Sequence, residues 1–96
     1  MKDTKYWQPL EEEKVEYGSV FRHVFRTHKT CSSGELMIQP HSKIKMHSHP
    51  TNSEIYIDAS TGEVVSRCGI GGEHEYANDT DNVQILLYVQ AKGSLF

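Results

Sequence analysis

The chain has 96 residues, enough for one domain and too few for two of ordinary size. With 10 Lys and Arg against 13 Asp and Glu its formal net charge is -3, which argues against a nonspecific binder of nucleic acid or anionic membrane, since either surface selects a basic excess. The longest strongly apolar run, Ile85-Leu86-Leu87-Tyr88-Val89, falls far short of the roughly 20 residues of a membrane-spanning helix, and the N-terminal residues lack the apolar centre of a secretory signal.

Residues 1–14 are polar with Trp7, Pro9 and Leu10 embedded, and read as an N-terminal arm ahead of a β domain over 15–96. Val20 to Phe25 is rich in β-branched and aromatic residues, with Phe21, His23 and Phe25 on one face. Thr27 to Gly34 is turn-rich. Glu35 to Gln39 alternates, Pro40-His41-Ser42 breaks the run, and Lys43 to His49 resumes it. Glu54 to Asp58 alternates after the turn Pro50-Thr51-Asn52-Ser53, and Ala59-Ser60-Thr61-Gly62 has the composition of a hairpin turn. Glu63 to Cys68, His74 to Ala77 and Val83 to Gln90 complete the strands, the last being the clearest. No window has a helical period, and short strands at this spacing predict an all-β sandwich or barrel. Cys31 and Cys68 make no disulfide framework, so a cytoplasmic domain is expected. A core this small buries a modest share of its surface, and a metal or a partner subunit is expected to add stability.

Six histidines are the chemical signal. His47 and His49 lie two apart, which on a strand puts both imidazoles on one face. Neutral imidazoles suit Zn, Fe, Ni and Cu. Glu54 follows across the turn, where a reversal brings an anionic oxygen back beside the pair. His74 heads a later strand and can supply a third imidazole. Three nitrogens and one carboxylate leave open positions on a five- or six-coordinate ion, as a catalytic or ligand-binding metal requires.

The segment from Pro40 to Glu54 resembles the first motif of the cupin superfamily, G-x-x-x-x-x-H-x-H-x-x-x-x-E-x-x-x-x-x-x-G. His47, His49 and Glu54 match, His41 stands where the leading glycine belongs, and Gly62 comes one position late. Gly69 to Asn78 resembles the second motif, G-x-x-x-x-x-P-x-G-x-x-H-x-x-x-N, through Gly71, His74 and Asn78, with Gly69 in place of proline. The resemblance implies a small cupin-type jelly-roll β-barrel, trimmed between the motifs because Glu63 to Cys68 is short. It implies His47, His49, Glu54 and His74 as ligands of a divalent metal ion (Fe, Mn, Ni or Zn), turn roles for Gly62 and Gly71, and a strand-holding role for Asn78. A trimmed barrel has exposed edges that invite another chain. A homodimer is therefore expected, with the N-terminal segment exchanged onto the partner.

Alternation puts Tyr56 and Asp58 on the face of Glu54, which makes Tyr56 the candidate catalytic acid or hydrogen-bond donor to a bound ligand. Leu36, Ile38, Ile44, Met46, Ile85 and Leu87 are expected in the core. Lys43 and Lys45 fall on the nominal face of the histidines, so either the strand bulges before His47 or the lysines lie beyond the rim. His23 reads as a satisfied core histidine or a pocket wall, His41 as a loop residue, and Cys68 as a small interior residue or a reserve soft ligand. The function expected is a metal site open to a small oxygen-bearing ligand. Two uses of it remain open: a small metalloenzyme of isomerase, lyase or dioxygenase type, or a non-catalytic binding or sensor module. The expected partner is a small-molecule ligand or substrate, with no nucleic acid and no membrane.

Overall fold

The computed structural model describes residues 6–95. Period-two patterning becomes nine strands: β1 (Gln8–Pro9), β2 (Val15–Tyr17), β3 (Val20–Thr27), β4 (Cys31–Ile38), β5 (Ser42–Ser48), β6 (Asn52–Asp58), β7 (Val64–Cys68), β8 (Glu73–Asn78) and β9 (Gln84–Lys92). A single turn of 3-10 helix spans Glu12–Lys14. The strands form two antiparallel sheets, β1-β3-β4-β9-β6-β7 and β2-β5-β8, which face each other without closing into a continuous barrel. No helix among the described residues is long and apolar enough to cross a membrane.

The core lies between the sheets. Val20, Leu36, Ile38, Ile44, Tyr56, Leu86 and Tyr88 are buried together, with Leu10, Val15 and Tyr76 packed against them. Leu36, Ile38 and Ile44 occupy the places expected of them. Ile85 and Leu87 do not: on β9 the inward set is Leu86 and Tyr88, while Leu87 faces out. Both faces of that strand are apolar, so alternation had no contrast to read. The loop read over Thr27 to Gly34 is also shorter than expected, because Cys31 to Gly34 pair with β9.

Met46 is the most informative departure. It is 47% exposed. In the β5–β8 ladder Ile44 faces Tyr76 and His47 faces His74, so β5 carries one residue more than its partner between these pairs. This bulge resets the parity of the strand. Ser42 and Ile44 point inward before it, Lys45 and Met46 are both exposed at it, and the histidine side chains turn inward after it. The bulge answers the lysine question: Lys43 pairs with Glu16 (3.1 Å) and Glu75 (3.0 Å) on the outside.

The arm over residues 1–14 is described from Tyr6 onward. Gln8 and Pro9 pair with Arg22 and Phe21 of the same chain, and Leu10 N–H donates to the Val20 carbonyl at 2.8 Å. Tyr6 and Trp7 pack on His23, with ring centroids 5.4 and 5.6 Å away. His23 Nδ1 lies 3.1 Å from Glu35 Oε1, so this histidine is satisfied on the outer sheet face rather than in the core.

Candidate metal centre

The four singled-out side chains meet between the two sheets. Ladder register puts His47 on β5 directly opposite His74 on β8. His49 lies just past the end of β5, where the Gly71 N–H donates to its carbonyl at 2.9 Å. Gly71 holds φ +77, a left-handed turn that an L side chain would strain, and this turn returns the chain to β8. The short inter-motif segment is therefore sufficient: five residues of β7 and one tight turn deliver His74 to the cluster. Glu54 comes from β6 in the facing sheet.

The donor atoms lie within 4.8 Å of one another. His74 Nε2 is 2.9 Å from His47 Nε2, 3.2 Å from His49 Nε2 and 3.2 Å from Glu54 Oε1. His49 Nε2 is also 3.2 Å from Glu54 Oε1. One proton on His74 cannot serve three acceptors. Glu54 Oε1 is buried and has no hydrogen-bond partner among the described residues. A buried carboxylate oxygen left this way costs free energy unless something positive meets it. With metal–ligand bonds of about 2.1 Å, neighbouring donors sit about 3.0 Å apart in an octahedron and about 3.4 Å apart in a tetrahedron. The observed spacings match, so the residues fit a divalent ion with imidazole and carboxylate ligands.

The outer nitrogens are arranged to suit it. His47 Nδ1 lies 2.7 Å from the Lys45 carbonyl, which only accepts, so Nδ1 carries the proton and Nε2 presents a lone pair. His74 Nδ1 is 3.1 Å from Ser66 Oγ. His49 Nδ1 is 3.2 Å from the Gln90 side-chain amide, and a half-turn of that amide lets its oxygen accept the Nδ1 proton. Burial pushes the His49 imidazolium below its ordinary value; Glu54 opposes this, and the two neighbouring imidazoles reinforce it. The ring is thus biased toward the neutral, ligating form.

Tyr56 is buried beside the cluster, with its ring centroid 5.2 Å from that of His74. Burial, then the nearby Glu54 carboxylate, push its phenol far above its ordinary value, so the hydroxyl stays protonated beside the cluster. Asp58 shares the strand but lies away from the cluster, where it accepts from Ser60 and Gln84. Cys68 is buried opposite Glu54 in the ladder, where burial and then Glu54 raise its thiol, and its sulfur is not among the converging donor atoms. His41 lies at the far turn, at φ 56 where the motif has glycine, with Nε2 2.6 Å from Asp81.

A cavity of about 490 Å³ opens beside the cluster, with His47, His49 and Glu54 in its lining. Leu10, Leu36, Ile44 and Tyr88 make its apolar walls, and Arg22 and Lys14 reach it from β3 and the 3-10 turn. Sequence reasoning missed Ser66, Gln90, Arg22 and Lys14. Nothing in their local patterns sets them apart, because each is defined by a partner distant along the chain.

No protein-family model matches the chain, and no curated protein sequence matches it. Solved structures do. A predicted oxalate decarboxylase from Thermotoga maritima superimposes with a TM-score of 0.77 at 16% identity, over 95% of this chain and 96% of that one. The cupin domain of Schizosaccharomyces pombe Cnp3 does so with a TM-score of 0.68 at 11% identity, over 84% of this chain and 69% of that one. An acetylacetone dioxygenase from Acinetobacter johnsonii gives 0.63 at 11% identity, over 97% and 72%. Strand order, the two facing sheets and these superpositions agree: the chain has the fold of a small cupin domain.

Proposed function

We propose that His47, His49, Glu54 and His74 bind one divalent metal ion, of Fe, Mn, Ni or Zn type, with open positions for a small ligand bound through oxygen. On this reading the protein is a small metalloenzyme. The observation that carries the reading is the buried Glu54 Oε1, without a hydrogen bond and 3.2 Å from two imidazole nitrogens. Bound there, a divalent ion would act as a Lewis acid on a ligand oxygen. The chain's own residues do the rest. The Lys45 carbonyl, Ser66 and Gln90 fix the imidazoles, the Tyr56 ring packs on His74, and the apolar walls limit water. The fold neighbours' names add support: oxalate and acetylacetone are both small compounds that offer two oxygens to a metal.

One observation favours the second reading, a non-catalytic binding module. Tyr56 is buried beside the cluster, and burial and then the Glu54 carboxylate push its phenol far up, so it is a poor proton shuttle. Turnover screens of iron- and manganese-loaded protein against small diketones and organic acids separate the two. The proposal includes a homodimer, because β7 ends the larger sheet with Val64 and Val65 exposed. Sedimentation equilibrium tests it.

The metal itself is tested by elemental analysis of untagged protein. About one ion per chain is expected, with loss in the double variant H47A/H49A. Equal metal content in that variant overturns the proposal.

A further inference from the structure

We propose that Arg22, assisted by Lys14, forms an anion subsite in the cavity of the metal centre, and that the ligand admitted there is a small organic acid. Its carboxylate reaches Arg22 while its remaining oxygens face the metal. The proposal rests on the metal reading above and adds the substrate class to it.

The chain as a whole is acidic, with a formal net charge of -3, yet the cavity is not. Among the described residues lining it, Lys14 and Arg22 are cationic and Glu54 is the single carboxylate. Glu54 is engaged with the histidines, and a divalent ion bound there makes the cavity more positive still.

Arg22 sits where a cation needs a reason. In the ladder it faces Leu36, a core residue, and its strand neighbour two residues back is the buried Val20. Its side chain therefore runs along the inner, apolar face of the larger sheet and not over its outer face. It lines the same cavity as Tyr56, Tyr88 and the cluster residues His47, His49 and Glu54.

Its carboxylate neighbour is Glu11, at 3.8 Å, too long for a hydrogen bond. Glu11 is also 3.2 Å from Lys14 Nζ. All three side chains are roughly half-exposed, and Lys14 and Arg22 line the cavity. Glu11 thus stands as an intramolecular carboxylate loosely held by the two cations. An incoming carboxylate can make with the guanidinium the paired, in-plane hydrogen bonds that Glu11 does not. A cavity of about 490 Å³ suits a small molecule, and its Leu36, Ile44 and Val24 walls suit a short apolar body between two oxygen-bearing ends.

The test uses full-length protein and two probes with the same spacing of oxygens. Malonate carries carboxylates, and acetylacetone is largely uncharged at neutral pH. Each is titrated calorimetrically into manganese-loaded wild type, R22Q, R22K and E11Q, with folding checked by circular dichroism. Wild type should prefer malonate. R22Q should lose about tenfold or more in malonate affinity and stay within about twofold for acetylacetone. R22K should recover part of the loss, and E11Q, which removes the internal competitor, should tighten malonate severalfold. Equal malonate affinity in R22Q and wild type overturns the proposal. So does an equal loss for both probes, or a wild-type preference for acetylacetone. Failure of the metal reading has a different signature: no ion is retained by wild type, while malonate still binds metal-free protein in an Arg22-dependent way.

Discussion

Strands β5 and β8 carry a polar pair near each end, and the two pairs behave oppositely. At one end Ser42 faces Asn78. Asn78 Nδ2 donates to the carbonyls of Ile38 (3.0 Å), Gln39 (3.2 Å) and Asn82 (2.8 Å), and Oδ1 accepts from the Thr80 N–H (3.1 Å) and hydroxyl (2.7 Å). Ser42 Oγ accepts from the Ser19 N–H at 2.9 Å. The backbone closes in to reach it: a Cβ on Gly18, at φ +81, would stand 2.0 Å from that oxygen. At the other end His47 faces His74, imidazole nitrogens point at one another, and a carboxylate oxygen beside them has no donor. The first cluster satisfies itself and fastens two turns to the sheet. The second is incomplete without something from outside the chain. A buried polar network that closes on itself is structural, whereas one left open by a single charged atom marks a site.

The largest expected effect tests the closed end. N78A empties a buried site and removes the side-chain contacts to three carbonyls and to Thr80, which should cost about 3 kcal/mol. In a chain of this length that lowers Tm by about 12 °C or more, and calorimetry should find the same drop with and without metal.

The open end should respond to metal instead. A divalent ion at a hundredfold excess over its Kd stabilises the fold by about 2.7 kcal/mol, visible as a rise in Tm of about 10 °C or more. In H47A/H49A the rise should vanish. A smaller effect sharpens the contrast further. In metal-free protein E54Q removes the unpaired charge and supplies an amide donor for the imidazoles, so its stability should stay within about 1 kcal/mol of wild type. The same variant should lose tenfold or more in metal affinity, measured by chelator competition. A large loss of metal-free stability in E54Q would mean that the cluster is structural after all.

The smallest effect concerns Asp58 and is read in pH. The Ser60 hydroxyl, the Ser60 N–H and the Gln84 amide hold its carboxyl below the usual range. A lowered acid binds fewer protons folded than unfolded. Its contribution is therefore present above the ordinary carboxylate value and is lost as pH falls through the lower, folded value. Acid titrations of Tm should be shallower in D58N on that limb, with the variant slightly below wild type at neutral pH and converging with it in acid.

Much of this architecture was legible in the residues. Period-two stretches located β3, β5, β6, β8 and β9, and turn composition located the hairpin at Ala59 to Gly62. The spacing of His47, His49, Glu54 and His74 named a group of side chains that the fold does bring together. The limits were equally physical. On β9 both faces are apolar, so Ile85 and Leu87 could not be told from Leu86 and Tyr88. On β5 a bulge at Lys45 and Met46 shifts the parity that a simple alternation assumes. The cationic wall of the cavity was invisible because Arg22 lies in the first long strand and Lys14 in the arm, both far in sequence from the histidines.

Chain chemistry alone determined the strand content and the types of donor group, because extended backbone imposes a two-residue period and imidazole and carboxylate are the groups the histidine and glutamate side chains offer. Only the tertiary structure decided that the four donors share one point, that one carboxylate oxygen there has no partner, and that two cations border the same cavity. These are properties of register and of the gap between two sheets, set by pairings across tens of residues that no local pattern encodes.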